Sequence, residues 1–130
     1  LPELQLPFDQ ALDKCKEIGA EYIWFNQLAG ETDVGRMSDA EADRIAERVA
    51  RRNLKVFLLN AGNPFKEIHL ADLDLKTMDE HPAFRRQFQD LVRSMQIAAR
   101  LGIRAVGCFT FAWPGEYSAG KPTWPMRWPA

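Results

Sequence analysis

The chain has almost no net charge, and this shortage excludes several kinds of partner. Its 130 residues carry 17 Lys and Arg against 18 Asp and Glu, a formal net charge of -1. No basic excess is available to attract nucleic acid by displacing its counterions, so nucleic-acid binding is not favoured. The apolar runs are also far shorter than the roughly 20 residues of a membrane span. We therefore expect a cytoplasmic protein that binds neither nucleic acid nor a membrane.

Cysteine is scarce as well, and its two thiols lie in apolar segments. Cys15 falls on the apolar face of a predicted helix and Cys108 inside a predicted strand. We predict that both are small core residues rather than a disulfide or a metal-binding pair, which suits a reducing compartment. The sequence also lacks Gly-x-Gly-x-x-Gly, Walker and Gly-x-Ser-x-Gly motifs. Nucleotide cofactors and nucleophilic hydrolysis are therefore not indicated.

What the sequence does contain is one unit, a helix followed by a strand, repeated three times. Apolar residues spaced i, i+3, i+4 and i+7 predict the helices. Each helix ends at a residue that tolerates left-handed backbone: Gly19, Asn53 or Gly102. The apolar run after each of these residues predicts a strand buried on both faces, as in a parallel sheet. The predicted strands are Tyr22 to Phe25, Leu54 to Leu59 and Ile103 to Phe111.

The predicted helices have recognisable start signals and apolar faces. Ser38 and Glu41 form a capping box before the second helix, and Pro82 suits the first turn of the third. We expect His81 to be only a helix-start residue. The predicted inward positions are Phe8, Ala11, Leu12, Cys15 and Ile18 in the first helix, Ala42, Ile45, Ala46, Val49 and Ala50 in the second, and Phe84, Phe88, Leu91, Val92, Met95, Ala98 and Ala99 in the third.

Strands separated by helices are expected to pair in parallel, with their carboxyl ends at one edge of the sheet, where ligands bind. Asn26, Asn60 and Thr110 should therefore share this edge. An asparagine amide offers both a donor and an acceptor to sugar hydroxyls or to a carbonyl. The alternative is that each asparagine merely caps a strand or begins an Asx-turn. The sequence leaves both interpretations open.

Two loops carry further candidate residues. In the aromatic and proline-rich loop 112–130, Trp113 is predicted to form a pocket wall, and Glu116 is a further polar candidate for substrate binding. Lys121 and Arg127 are candidates to meet a phosphate or carboxylate, while the distal tryptophans pack on neighbouring structure.

The acidic connection over 61–81 holds a histidine that invites a metal interpretation. His69 lies near Asp72 and Asp74, which are chemically suitable ligands. The spacing is not that of a tight metal site, so a solvated loop with a short helical turn is the better interpretation.

Three segments resemble the xylose isomerase-like TIM barrel family of sugar phosphate isomerases and epimerases. They are CKEIGAEYIWF at 15–25, RRNLKVF at 51–57 and ARLGIRAV at 99–106. The resemblance implies the amino-terminal half of a barrel, from its first helix to its fourth strand. A closed eight-stranded barrel needs about 250 residues. We therefore expect an α/β fold, a partial (β/α)8 TIM barrel with about three parallel strands and three helices. Residues 1–130 would be a single partial domain, cut from a longer protein.

The resemblance also implies an activity. Family members hold a divalent metal, Mn, Mg, Co or Zn, and move a proton between sugar carbons through an enediolate. Their ligands and bases lie on later strands, so no metal ligand is assigned here, and we expect neither tight metal binding nor isomerase activity from this chain alone. The expected partners are a sugar or sugar phosphate, with the missing barrel half or a second copy of the chain. A non-catalytic ligand-binding or assembly module is the alternative.

A further alternative comes from the family's remote relatives, the metal-dependent apurinic-site endonucleases. Those members use histidines on early strands. Here the corresponding positions hold Asn26, Asn60 and Thr110, which argues against a nuclease.

Overall fold

Three helices and a three-stranded parallel sheet make up the fold. The computed structural model describes residues 4–25, 33–61, 65, 68–69 and 73–108. The middle strand of the sheet is the second in sequence, and it runs parallel to both neighbours. This confirms the predicted α/β class, the three helices and the parallel pairing. In chain order the elements are α1 (Phe8–Glu17), β1 (Tyr22–Phe25), α2 (Asp39–Ala50), β2 (Lys55–Asn60), α3 (Pro82–Arg100) and β3 (Val106–Gly107).

The helix starts follow the predicted local signals. The Ser38 hydroxyl accepts a hydrogen bond from the Glu41 N–H, and the Glu41 carboxylate accepts one from the Ser38 N–H, which completes the capping box of α2. Pro82 occupies the first turn of α3. Just before it, His81 Nδ1 accepts from the Phe84 N–H at 3.4 Å, so His81 is indeed a helix-start residue. The side chains of Ser38, Glu41 and His81 each satisfy an amide that lacks an intrahelical partner, whereas Pro82 has no N–H to satisfy.

The helix ends share one turn. Gly19, Asn53 and Gly102 all have positive φ, at 79°, 55° and 68°. After each of them, the next amide donates back to a carbonyl five residues earlier, the arrangement known as a Schellman motif. The pairs are Ala20 to Cys15, Leu54 to Val49 and Ile103 to Ala98. The same turn therefore sends the chain from each helix towards the next strand.

One apolar core joins the helices to one face of the sheet. Its fully enclosed members include Leu12 from α1, Ile45 from α2, Leu59 from β2 and Ile97 from α3. An irregularity in the pairing of β1 with β2 leaves Phe57 as an extra residue, since Ile23 pairs with Val56 but Trp24 pairs with Leu58. The rest of this core consists of Phe8, Cys15, Ile23, Val34, Met37, Ala42, Val49, Leu54, Ala98 and Ile103.

The second face of the sheet, opposite the helices, carries Trp24, Leu58 and Asn60. The predicted burial of the strands on both faces is wrong, because Tyr22 is 54% exposed and Phe57 is 50% exposed. Among the described residues no second layer covers this part of the sheet, so these aromatic rings meet solvent. Parallel sheets in proteins are almost always covered on both faces.

The third strand is shorter than predicted. It spans Val106–Gly107, whereas the prediction ran from Ile103 to Phe111, whose last three residues lie outside the described part. The Ile103 side chain is buried in the helix-side core, and its amide is held by Ala98. The backbone consequently reaches β2 only at Ala105, whose carbonyl accepts from the Leu59 N–H at 3.0 Å.

Helix α3 is too long for the sheet that it covers. Its 19 residues span about 28 Å, against about 20 Å for the six of β2. Only its second half, with Ser94, Ile97 and Ala98, is buried on the sheet. Its first half packs by Phe84 and Leu91 on a second apolar cluster, formed by Phe65, Ile68 and Leu73.

The predicted apolar face of α3 is partly wrong. Phe88, Met95 and Ala99 are exposed, while the polar Ser94 is fully buried. The buried hydroxyl of Ser94 donates to the Asp90 carbonyl at 2.8 Å, so it is satisfied within the helix. No helix in the described ranges is both long and apolar enough to cross a membrane.

The loop between β1 and α2 approaches α3 closely. A short 3-10 helix, Val34–Arg36, places Gly35 against the backbone of Asp90. A side-chain carbon at Gly35 would lie 2.9 Å from the Asp90 Cβ and 3.0 Å from its carbonyl oxygen. Arg93 then clamps the same loop by donating twice to the Met37 carbonyl, at 2.7 and 2.8 Å. Only glycine permits this approach.

Two arginines at the carboxyl end of α2 bind α1: Arg48 in the last turn of the helix and Arg52 in the turn that follows it. Arg48 forms a two-bonded pair with Asp9, at 2.9 and 3.2 Å, and stacks over the ring of Phe8. Arg52 forms a similar pair with Asp13, at 2.6 and 3.3 Å, and also reaches Asp9 at 3.1 Å. Spacing of four residues on each helix lets both pairs form side by side.

Two aspartates in the first half of α2 bind α3. Asp43 accepts two bonds of 2.7 Å from Arg100, and Asp39 accepts from Arg93 at 2.7 Å and from Arg100 at 3.1 Å. The acidic and basic halves of α2 also match the helix dipole. The charged residues of α2 therefore do more than face solvent, because opposite ends of the helix bind opposite neighbours.

We expect Gly35→Ala to destabilise the fold by roughly 1–3 kcal/mol, because the new methyl group overlaps the backbone of α3. Urea unfolding followed by circular dichroism measures the change. Gly107→Ala is the matched control, since a carbon there meets its nearest atoms only at 3.7 Å or more. Equal stability of the two variants would contradict the close packing of this loop on α3.

We expect stability to fall in acid through the α1–α2 pairs. Hydrogen bonds from Arg48 and Arg52 hold the pKa values of Asp9 and Asp13 below the usual range. This stabilisation is complete above the ordinary aspartate pKa of about 3.9 and is lost as the pH falls through the lowered values. Arg52→Gln should therefore cost stability at pH 6 and much less at pH 2.

The control for the acid experiment is Arg44→Gln, since Arg44 is an exposed residue of α2 with no ion-pair partner among the described residues. Its urea midpoint should follow that of the unmodified chain across the titration. If Arg52→Gln showed the same loss at both pH values, the pairs would contribute nothing through their charge.

Candidate functional site

The candidate site lies at the carboxyl end of β2. Asn60 is the last residue of this strand and pairs with Gly107 of β3. The next amide, that of Ala61, donates to the Gly107 carbonyl at 2.8 Å and holds the two strand ends together. This is the edge of the sheet at which the sequence predicts a ligand.

The amide oxygen of Asn60 is buried without a hydrogen-bond partner in the described part of the chain. It is the only buried side-chain polar atom among those residues that is left in this condition. A buried acceptor without a partner costs about 1–3 kcal/mol. The two alternatives for Asn60 were a structural cap and a ligand-binding group. A structural cap would accept a hydrogen bond through this oxygen, whereas here the oxygen accepts none from the described residues.

The residues around Asn60 follow from the pairing of β2 with β3. A side-chain carbon at Gly107 would lie 3.9 Å from the Asn60 Cγ and 3.7 Å from the Leu58 Cδ1. These distances show that Leu58 and Asn60 flank the same side of Gly107. Trp24 pairs with Leu58 across the sheet, so it lies on that face too. A side chain at position 107 would therefore contact both Leu58 and Asn60.

The other predicted site residues lie outside the described residues. They are Asn26, Thr110, Trp113 and Glu116, and the same holds for Lys121, Arg127 and the rest of loop 112–130. Of the five substrate-binding candidates, only Asn60 can be placed in the site.

The two cysteines differ in their surroundings. Cys15 is buried in the core, as predicted. Cys108 is exposed, so its prediction as a core residue is wrong. It follows Gly107 directly, beyond the last paired residue of β3, where no helix of the described part covers the sheet. The thiol thus lies at the same edge of the sheet as Asn60.

The described residues do not fit a metal centre. They contain no group of three or more His, Cys, Asp or Glu side chains able to hold an ion. His69 is exposed, and the Asp74 carboxylate accepts from the Lys76 N–H at 2.9 Å in a local turn. Asp72, the other proposed companion of His69, lies outside the described residues. Near Asn60, an amide and a thiol replace the carboxylates that Mg or Mn prefers.

Sequence reasoning found Asn60 but missed its neighbours. Leu58 and Gly107 look like ordinary strand residues, and only the pairing register places them beside the amide. The sequence contains one signal for these neighbours, Gly107 itself, because glycine inside a strand often marks a place where another backbone or a ligand approaches closely. The arrangement offers one polar group for hydrogen bonding next to apolar side chains.

Comparison with known proteins adds no relative to this description. No protein-family model, no curated protein and no solved structure matches the chain.

Proposed function

We propose that this chain is part of a (β/α)8 barrel that binds a sugar or sugar phosphate, as a metal-dependent isomerase or epimerase. The observation that carries the proposal is the buried, unused amide oxygen of Asn60 at the carboxyl end of a parallel strand. Ligands of such sheets bind at this end. A sugar hydroxyl is a donor of the right kind, because it would satisfy the oxygen without adding charge to a buried place.

The sheet supports an incomplete barrel in a second way. Its strands follow one another in sequence order, β1, β2 and β3, as barrel strands do. Tyr22 and Phe57 stay exposed although parallel sheets are normally covered on both faces. The remaining strands of a barrel, or a second copy of this chain, would supply that cover.

The role of this part of the chain would be to bind and orient the substrate. The Asn60 amide accepts from one hydroxyl and can donate to another oxygen, while the apolar side chain of Leu58 excludes water beside it. The proton transfer between sugar carbons needs a base, and no carboxylate of the described residues takes part in this site. Metal and base would come from elsewhere in the complete protein.

A ligand-binding module without catalysis is the second candidate. It is favoured by the residues in contact with Asn60, since neither Leu58 nor Gly107 carries an acid or a base. Both candidates use Asn60 to bind the ligand. They differ only in whether the rest of the protein supplies a metal and a base.

The test is the substitution Asn60→Leu, which keeps the approximate volume and removes the amide. We expect this variant to unfold at higher urea concentration, with a gain of about 1 kcal/mol, because a buried unsatisfied acceptor disappears. We also expect it to lose binding of simple ketoses and their phosphates. Binding is measured in both proteins by the NMR shifts of the backbone amides of Leu59 and Ala61, which flank position 60.

The matched control is Asn53→Gly, which removes another asparagine amide where glycine suits the positive φ of 55°. It should leave sugar binding unchanged. If Asn60→Leu destabilised the fold, Asn60 would have a structural role instead. Sugar binding that survived Asn60→Leu, or its absence from the unmodified chain, would also contradict the proposal.

A further inference from the structure

A cleft of about 550 Å³ opens near the amino end of β2, at the opposite end of the strand from Asn60. It is bounded by the second half of α2, the first residues of β2 and the segment 101–104. The cleft exists because β3 meets β2 only at its last residues, so the segment before β3 diverges from β2. Its volume is in the range of sites for small organic molecules.

The floor of the cleft is apolar and belongs to the core. Ile45, Val49 and Ile103 are each at least 93% buried and line its base. Ala46 and Ala50 of α2 form a wall. Both alanines were predicted to face the core, yet Ala46 is only half-buried and Ala50 is exposed. The apolar surface of these two alanines is thus at least partly exposed in the cleft.

The mouth of the cleft has a positive charge. Lys55 and Arg104 line it, and no Asp or Glu among the described residues does so. Lys55 is neutralised by Glu21 at 2.9 Å, a contact that raises the pKa of the lysine and lowers that of the glutamate. Arg104 is exposed and has no ion-pair partner in the described part of the chain. The net charge at the mouth is therefore that of Arg104.

Aromatic rings complete the entrance. Tyr22 and Phe57, each about half exposed, lie on the strand side of the mouth. A flat or aliphatic body entering between them would bury their rings together with the alanine wall. Removal of this apolar surface from water would favour the association.

We propose that this cleft binds a small amphipathic monocarboxylate, with its aliphatic or aromatic body on the apolar floor and its carboxylate on the Arg104 guanidinium. A neutral apolar molecule would leave Arg104 without a counter-charge, and a cation would be repelled by it. Guanidinium and carboxylate also match in geometry, since two parallel N–H groups meet two oxygens. The site is separate from that of Asn60 and does not depend on the proposed sugar binding.

Three probes with one body and different head groups test the proposal: 4-phenylbutyrate, 4-phenylbutanol and 4-phenylbutylamine. NMR titration of the complete chain should show saturable shifts at the amides of Ala46, Ala50 and Gly102 with the acid. The alcohol should bind roughly two- to fivefold more weakly, the range expected for an exposed charge contact, and the amine more weakly still.

Substitutions separate the charge contact from the apolar one. Arg104→Gln should weaken binding of the acid by the same two- to fivefold and leave binding of the alcohol unchanged. Arg44→Gln, which changes an exposed residue elsewhere on α2, should affect the binding of neither probe. Ala46→Leu places a larger side chain in the cleft, and leucine is also a good helix former, so this variant should abolish binding of both probes. Ala50→Leu replaces it in the experiment if the Ala46→Leu variant fails to fold.

Three results would overturn the proposal. One is an acid titration without shifts at the cleft amides. Another is an Arg104→Gln variant that affects acid and alcohol equally. The third is binding that persists unchanged when Ala46 or Ala50 is replaced by leucine in a folded variant.

Discussion

The docking of α2 between α1 and α3 is the constraint on which the rest of the structure depends. Its buried face, with Ala42, Ile45 and Val49, covers the middle of the sheet. Burial of each large apolar side chain contributes about 1.5–3 kcal/mol, so this contact stabilises the folded state. The ion pairs at its two ends are exposed and supply little, because water screens them. Their role is to align α2, with arginines towards α1 and aspartates towards α3.

The position of α2 determines where functional groups can lie. It fixes β2 as the middle strand, and β2 in turn carries Asn60 to the carboxyl edge and Lys55 to the amino edge. The long α3 covers only part of this sheet. The first half of α3 packs on loop residues. After the last residue of α3, the turn at Gly102 leaves the cleft beside α2 open. Both proposed sites thus arise where the sheet is incompletely covered.

Local features of the fold could be predicted from the sequence because they depend on neighbours in the chain. The capping box of Ser38 and Glu41 and the stops at Gly19, Asn53 and Gly102 are all of this kind, since each satisfies backbone groups within six residues. The parallel pairing of the strands followed from the same units, because parallel strands need crossover connections that are usually helical.

Features that depend on distant contacts could not be predicted. Phe88 and Met95 fit an apolar helical stripe, yet both are about half exposed. Their burial depends on which distant segments pack against α3, and no local pattern reveals that. Cys108 is exposed for a related reason, since it follows the last paired residue of β3. At the candidate site, Asn60 was predicted from its position, but its unpaired oxygen and its contact with Gly107 depend on the pairing register.

The central claim is that β2 and β3 pair at their carboxyl ends and so enclose the Asn60 amide. Amide hydrogen exchange at Leu59 and Ala61 tests it most directly, because their N–H groups donate to the carbonyls of Ala105 and Gly107. We predict that both amides exchange far more slowly than those of an unfolded chain and are protected nearly as well as the core of α2. Exchange of Leu59 and Ala61 at the unfolded rate, with α2 still protected, would contradict the pairing and with it the site.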